Sequence, residues 1–106
     1  MTDLVNELWQ AHRHDGLPDV PQETKGELWV LDEVMGGCVE FYLNAGRVLD
    51  QSRAGILHDC REDLARILPA LDGQALRYFS RLDTLAGLLL MEPGKSETGD
   101  YTEGAI

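Results

Sequence analysis

The chain is poor in lysine, in β-branched residues and in long apolar runs, and each shortage excludes something. Two lysines stand against seven arginines, and asparagine occurs twice in 106 residues. That bias fits a GC-rich, bacterial-like genome and says nothing of function. The first twenty residues hold Asp3, Glu7, Arg13, Asp15 and Asp19 and lack the apolar core of a secretory signal. No segment approaches the roughly 20 apolar residues needed to span a bilayer. The two cysteines, Cys38 and Cys60, form no C-x-x-C pair and read as free thiols of a reducing cytoplasm. Catalytic signatures are missing as well: there is no E-x-x-H, H-E-x-x-H, G-x-S-x-G, P-loop or G-x-G-x-x-G. No enzyme, cofactor or metal site is therefore expected.

What is present is leucine and acid. Seventeen leucines favour helix over sheet. The net charge of −10 is unevenly spread. Residues 1–45 hold nine acids and two bases, net −7; residues 46–91 hold six of each; residues 92–106 hold four acids and one lysine, net −3. Nucleic-acid backbones and anionic membranes need clustered Lys and Arg, so both are excluded as direct partners of the first half. A protein with a basic surface is compatible with it, and so is mimicry of nucleic acid.

Apolar spacing resolves into helices. Leu4, Val5, Leu8 and Trp9 line a short first helix, capped by Thr2 or Asp3 and ended near Asp15 by Gly16 and Pro18. The second helix starts at one of two capping boxes, Asp19 to Gln22 or Thr24 to Glu27. It continues to about Ala45, with Leu28, Leu31, Met35, Cys38, Tyr42 and Ala45 at alternating 3,4 spacing on one side. Gly36-Gly37 in its middle is also a hairpin signal, but neither flank alternates as a strand would. Asp50 caps a third helix bearing Arg53, Leu57, Cys60, Leu64 and Ile67, stopped by Pro69, with Glu62 and Arg66 as an i,i+4 pair. Asp72 caps a fourth with Ala75, Phe79, Leu82, Ala86 and Leu89, ended by Pro93 and Gly94. Short links make these neighbours antiparallel. The expectation is an all-α, up-down antiparallel bundle of three long helices plus a short N-terminal one. It forms a single domain over 1–92, followed by a polar, flexible tail over 93–106.

Two adjacent glycines in a helix cost roughly 1 kcal/mol each relative to alanine. Close approach by another element is the usual compensation. Trp29, Gly36 and Leu43 share one stripe, and Val30, Gly37 and Asn44 the next; Glu33 and Glu40 border them. A partner with a basic surface would use Trp29, Glu33, Gly36, Gly37, Glu40 and Leu43. Alternatively the first helix fills this notch, because it must bury its apolar face somewhere. Leu88, Leu90 and Met91 exceed one core face, which leaves a homodimer contact or cover by Tyr101 or Ile106 of the tail.

Other candidates carry less. His12 and His14 suit the C-terminal dipole of the first helix. Cys38, His58 and Cys60 lack a fourth zinc ligand. Arg77 and Arg81, an i,i+4 basic pair, suit an anion or a neighbouring helix. The sequence thus points to a small acidic cytoplasmic interaction module: an adaptor, inhibitor or regulatory subunit. The alternatives are a ligand- or metal-binding bundle near Gly37, Cys38, Tyr42 and His58, and a mimic in which Glu27, Glu33 and Glu40 stand in for phosphates.

Overall fold

The computed structural model describes residues 3–91. The tail, with Pro93, Gly94, Tyr101 and Ile106, lies outside the described residues, as does Thr2. Four helices follow in order: α1 (Leu4–Asp15), α2 (Lys25–Asn44), α3 (Gln51–Ile67) and α4 (Gly73–Met91). Single 3-10 turns precede α2 (Gln22–Thr24) and follow α3 (Leu68–Ala70). The protein is an all-α helical bundle. Among the described residues there is no strand, and no helix is long and apolar enough to cross a membrane.

Caps set the boundaries. The Asp3 carboxylate accepts from the Asn6 N–H at 3.3 Å, and the Asp50 carboxylate accepts from the Arg53 N–H at 2.7 Å. Each satisfies a donor that has no partner within its helix. Gly16, at φ +71°, ends α1 in a backbone region that favours glycine. The start of α2 differs from both expected capping boxes. Neither Pro21 nor Thr24, which flank the 3-10 turn and the helix, supplies a side-chain cap. The pyrrolidine of Pro21 and one tight turn launch α2 instead. At α4 the Asp72 main-chain carbonyl accepts from the Leu76 N–H at 3.1 Å.

The helix directions can be read from side-chain pairs. Glu27 of α2 meets Arg66 of α3, and Phe41 of α2 meets Arg53 of α3, so these helices run antiparallel. Arg61 of α3 pairs with Asp83 of α4 at 2.9 Å, and its guanidinium lies 3.3 Å from the Cβ position of Gly87, a close approach of the two helices. The three long helices each pack on both others, and α1 packs chiefly on α4. α1 also runs antiparallel to α2: Asp3 reaches Arg47 just beyond α2, and His12 reaches Asp32.

The core is one continuous cluster. Leu28, Met35 and Tyr42 of α2, Leu57 and Leu64 of α3, and Phe79, Leu82 and Leu89 of α4 are fully enclosed. These are the periodic residues of the sequence, which shows that the 3,4 spacing set the inward faces. Three details depart from expectation. Ala45 lies just past α2 and is exposed. Leu4 is half exposed, so Val5 and Trp9 carry the burial of α1. Arg66 pairs with Asp63 at 2.8 Å and Glu27 at 3.4 Å rather than with Glu62, because the antiparallel α2 offers an acid on its other side.

Candidate functional site

The middle turn of α1 crosses the middle of α2 at the double glycine. Val5, Trp9 and His12 recur at 4,3 spacing, so His12 continues the apolar stripe of α1 and turns inward with it. The Trp9 ring lies on Gly36, where a Cβ would sit 3.2 Å from the ring carbon Cη2. Gly36 is therefore covered, and the bare patch expected over both glycines reduces to Gly37. At Gly37 a methyl group would meet nothing within 4 Å. The first helix fills half of the notch and leaves the other half open.

Below this crossing lies a polar cluster that joins three helices. His12, only 4% exposed, is sandwiched between the rings of Trp9 (5.6 Å, stacked) and Tyr78 (4.0 Å). Its Nε2 lies 2.8 Å from Oδ1 of Asp32, and the Tyr78 hydroxyl donates to the same oxygen at 2.8 Å. Burial first, and the Asp32 bond second, push the Tyr78 phenol well above its ordinary value, so it remains a donor. The Asp32 carboxylate thus fastens α1 and α4 to α2. Nδ1 of His12 is buried without a partner. Nearby, Arg81 of α4 donates to Asp15 at 2.7 Å and holds that carboxyl below the usual range.

Beside the cluster is an open hollow of about 510 Å³. Trp9, His12, Arg13, Gly16 and Leu17 line it from the α1 side, Asp32, Glu33, Gly36, Gly37 and Glu40 from α2, and Tyr78 from α4. Three carboxylates face a single guanidinium there, and that guanidinium approaches Glu40 only at 4.0 Å between exposed groups. Oδ2 of Asp32 receives neither of the two internal bonds. The hollow can take a cationic group against acid and bare backbone.

Of the six residues expected to bind a partner, Glu33, Gly36, Gly37 and Glu40 line this hollow. Leu43 instead lines a smaller one with Asn6, Gln10 and Arg47. Trp29 stands apart, 48% exposed, with the Lys25 ammonium 5.0 Å over its ring. Sequence reasoning missed the joining of His12, Asp32 and Tyr78; the legible signal was the place of His12 on the Val5–Trp9 stripe. Of the acids considered as phosphate surrogates, Glu27 lies 3.4 Å from Arg66 and Glu40 4.0 Å from Arg13.

The remaining candidates are simpler. Cys38 is buried and Cys60 half-buried, both free thiols pushed up chiefly by burial. His58, Asp59 and Glu62 bring ligand atoms within 4.8 Å of one another on α3, but all three are exposed. Arg77 is exposed, whereas Arg81 serves the α1–α4 contact. Leu88 and Leu90 are half-buried and Met91 is exposed. Fold and site together define a four-helix, all-α protein with a preformed acidic hollow on its second helix. No protein family, curated protein or solved structure matches the chain.

Proposed function

We propose that the protein is a cytoplasmic protein–protein interaction module, an adaptor, inhibitor or regulatory subunit without chemistry of its own. Its partner presents a basic surface, and a Lys or Arg side chain enters the hollow beside Gly37. One observation carries this reading: Asp32, Glu33 and Glu40 surround an open stretch of helix backbone with only Arg13 to balance them. The His12–Asp32–Tyr78 brace holds the walls before any partner arrives, which lowers the ordering cost of binding. Charge of one sign around a concave site also speeds encounter and makes it sensitive to salt.

The test is capture of the partner from host lysate by the tagged protein and by two variants, Gly37→Leu and Glu33→Lys/Glu40→Lys. Gly37 is exposed and its surroundings are open, so the leucine should leave thermal unfolding intact. Loss of a salt-sensitive, stoichiometric partner from both folded variants is expected. Equal recovery by all three proteins would overturn the reading.

A further inference from the structure

α2 carries a second apolar stripe that the other helices leave largely open. Val30, Val34, Gly37 and Phe41 follow 4,3,4 spacing, roughly 110° around the helix from the buried stripe. Val30 is 59% exposed and Val34 37%, while Gly37 is open. Phe41 is half-buried beneath the Arg53 guanidinium, 3.7 Å from its ring centre. The stripe extends over about 17 Å, three turns of helix. Trp29, Glu33 and Glu40 border it on the hollow side.

We propose that this face docks an amphipathic α-helix of the partner, with apolar anchors on Val30, Val34 and Phe41 and a basic flank against Glu33 and Glu40. The inference rests on the interaction reading above and names the element that the partner contributes. The spacing of the stripe is the one a helix reads with anchors at i, i+3 or i+4, and i+7. Gly37 at its centre removes the side chain that would hold two helix axes at the usual 8–10 Å, so a bulky anchor can sit against backbone. The charge of the rim selects the sign of the flank. A second copy of this chain packed antiparallel through the same stripe would set its acidic rim beside the first, which disfavours self-pairing.

The probe is a synthetic 14-residue amphipathic helix with leucine anchors and lysine flanks, titrated into the full protein and followed by backbone NMR shifts. A control peptide carries glutamate flanks. Saturable shifts at Val30, Val34, Gly37 and Phe41 with the lysine peptide alone are expected. Val30→Glu/Val34→Glu should weaken binding roughly tenfold or more, although it adds negative charge. Undiminished binding by that variant, equal binding of both peptides, no binding of either, or a dimer in solution that Val34→Glu dissociates would overturn the proposal. Glu33→Lys/Glu40→Lys separates the two readings. If only that variant loses the peptide, the hollow stands and the stripe falls. If only the valine variant loses it, the apolar anchors stand, and the acidic rim on which both the basic flank and the hollow depend falls.

Discussion

At the scale of single residues, Asp32 matters most. Both the imidazole of His12 and the phenol of Tyr78 depend on one of its oxygens in a part-buried setting. Removing the acceptor strands both donors, and a buried donor without a partner costs about 1–3 kcal/mol. Asp32→Ala should therefore lower unfolding stability in urea by more than Tyr78→Phe, which deletes one donor together with its need and should cost about 1 kcal/mol. Equal losses for the two variants would show that the carboxylate does not act as the shared acceptor. The two glycines should also separate. Gly37→Ala should stabilise by up to about 1 kcal/mol, since nothing opposes the gain in helix propensity. Gly36→Leu should destabilise, because Trp9 occupies the space. Melting temperatures of the pair check both signs.

At the scale of elements, α1 is an added brace on a three-helix bundle. It is held by the Trp9 ring on Gly36, the His12 cluster, and ion pairs from Asp3 to Arg47 and from Asp15 to Arg81. Trp9→Ala should cost about 3–5 kcal/mol, the usual range for losing a buried aromatic. Amide exchange should rise in α1 before it rises in α2–α4. The caps and bridges also set a pH dependence. Arg81 holds the Asp15 carboxyl, and the Arg53 N–H holds the Asp50 carboxyl, below the ordinary 3.8. A depressed carboxylate stabilises the folded state above its unfolded value, and that contribution is lost as pH falls through the folded value. Stability should therefore be level near neutrality and decline below about pH 4. Asp50→Asn should flatten part of the acid limb in a chemical-denaturation series against pH.

At the scale of the whole molecule, one apolar cluster links all four helices. Far-ultraviolet dichroism and tryptophan fluorescence should then report a single coincident unfolding transition. The charge asymmetry acts at the same scale. α2 contributes the acids of the hollow, while α3 and α4 spend several of their arginines on internal bridges: Arg61 to Asp83, Arg66 to Asp63 and Glu27, and Arg81 to Asp15. The potential around the molecule is consequently one-sided, and the negative side is α2.

The amino-acid sequence by itself determined the helices, their inward faces and their order, because 3,4 spacing of leucines and local caps are decided within a few residues. It also marked the double glycine as a place of close approach. Only the tertiary structure decided which glycine is covered. Trp9 reaches Gly36 and not Gly37, a difference of about 100° in direction on the same helix. His12, read alone, suited a helix terminus, and no local pattern tied it to Asp32. Their joining is completed by Tyr78, 46 residues beyond Asp32 in the chain, which packs on His12 and donates to Asp32. The spacing set Leu28, Leu31, Met35 and Tyr42 inward, but only the packing of α3 and α4 decided how far the neighbouring Val30, Val34 and Gly37 stay open, because exposure depends on where the covering helices lie.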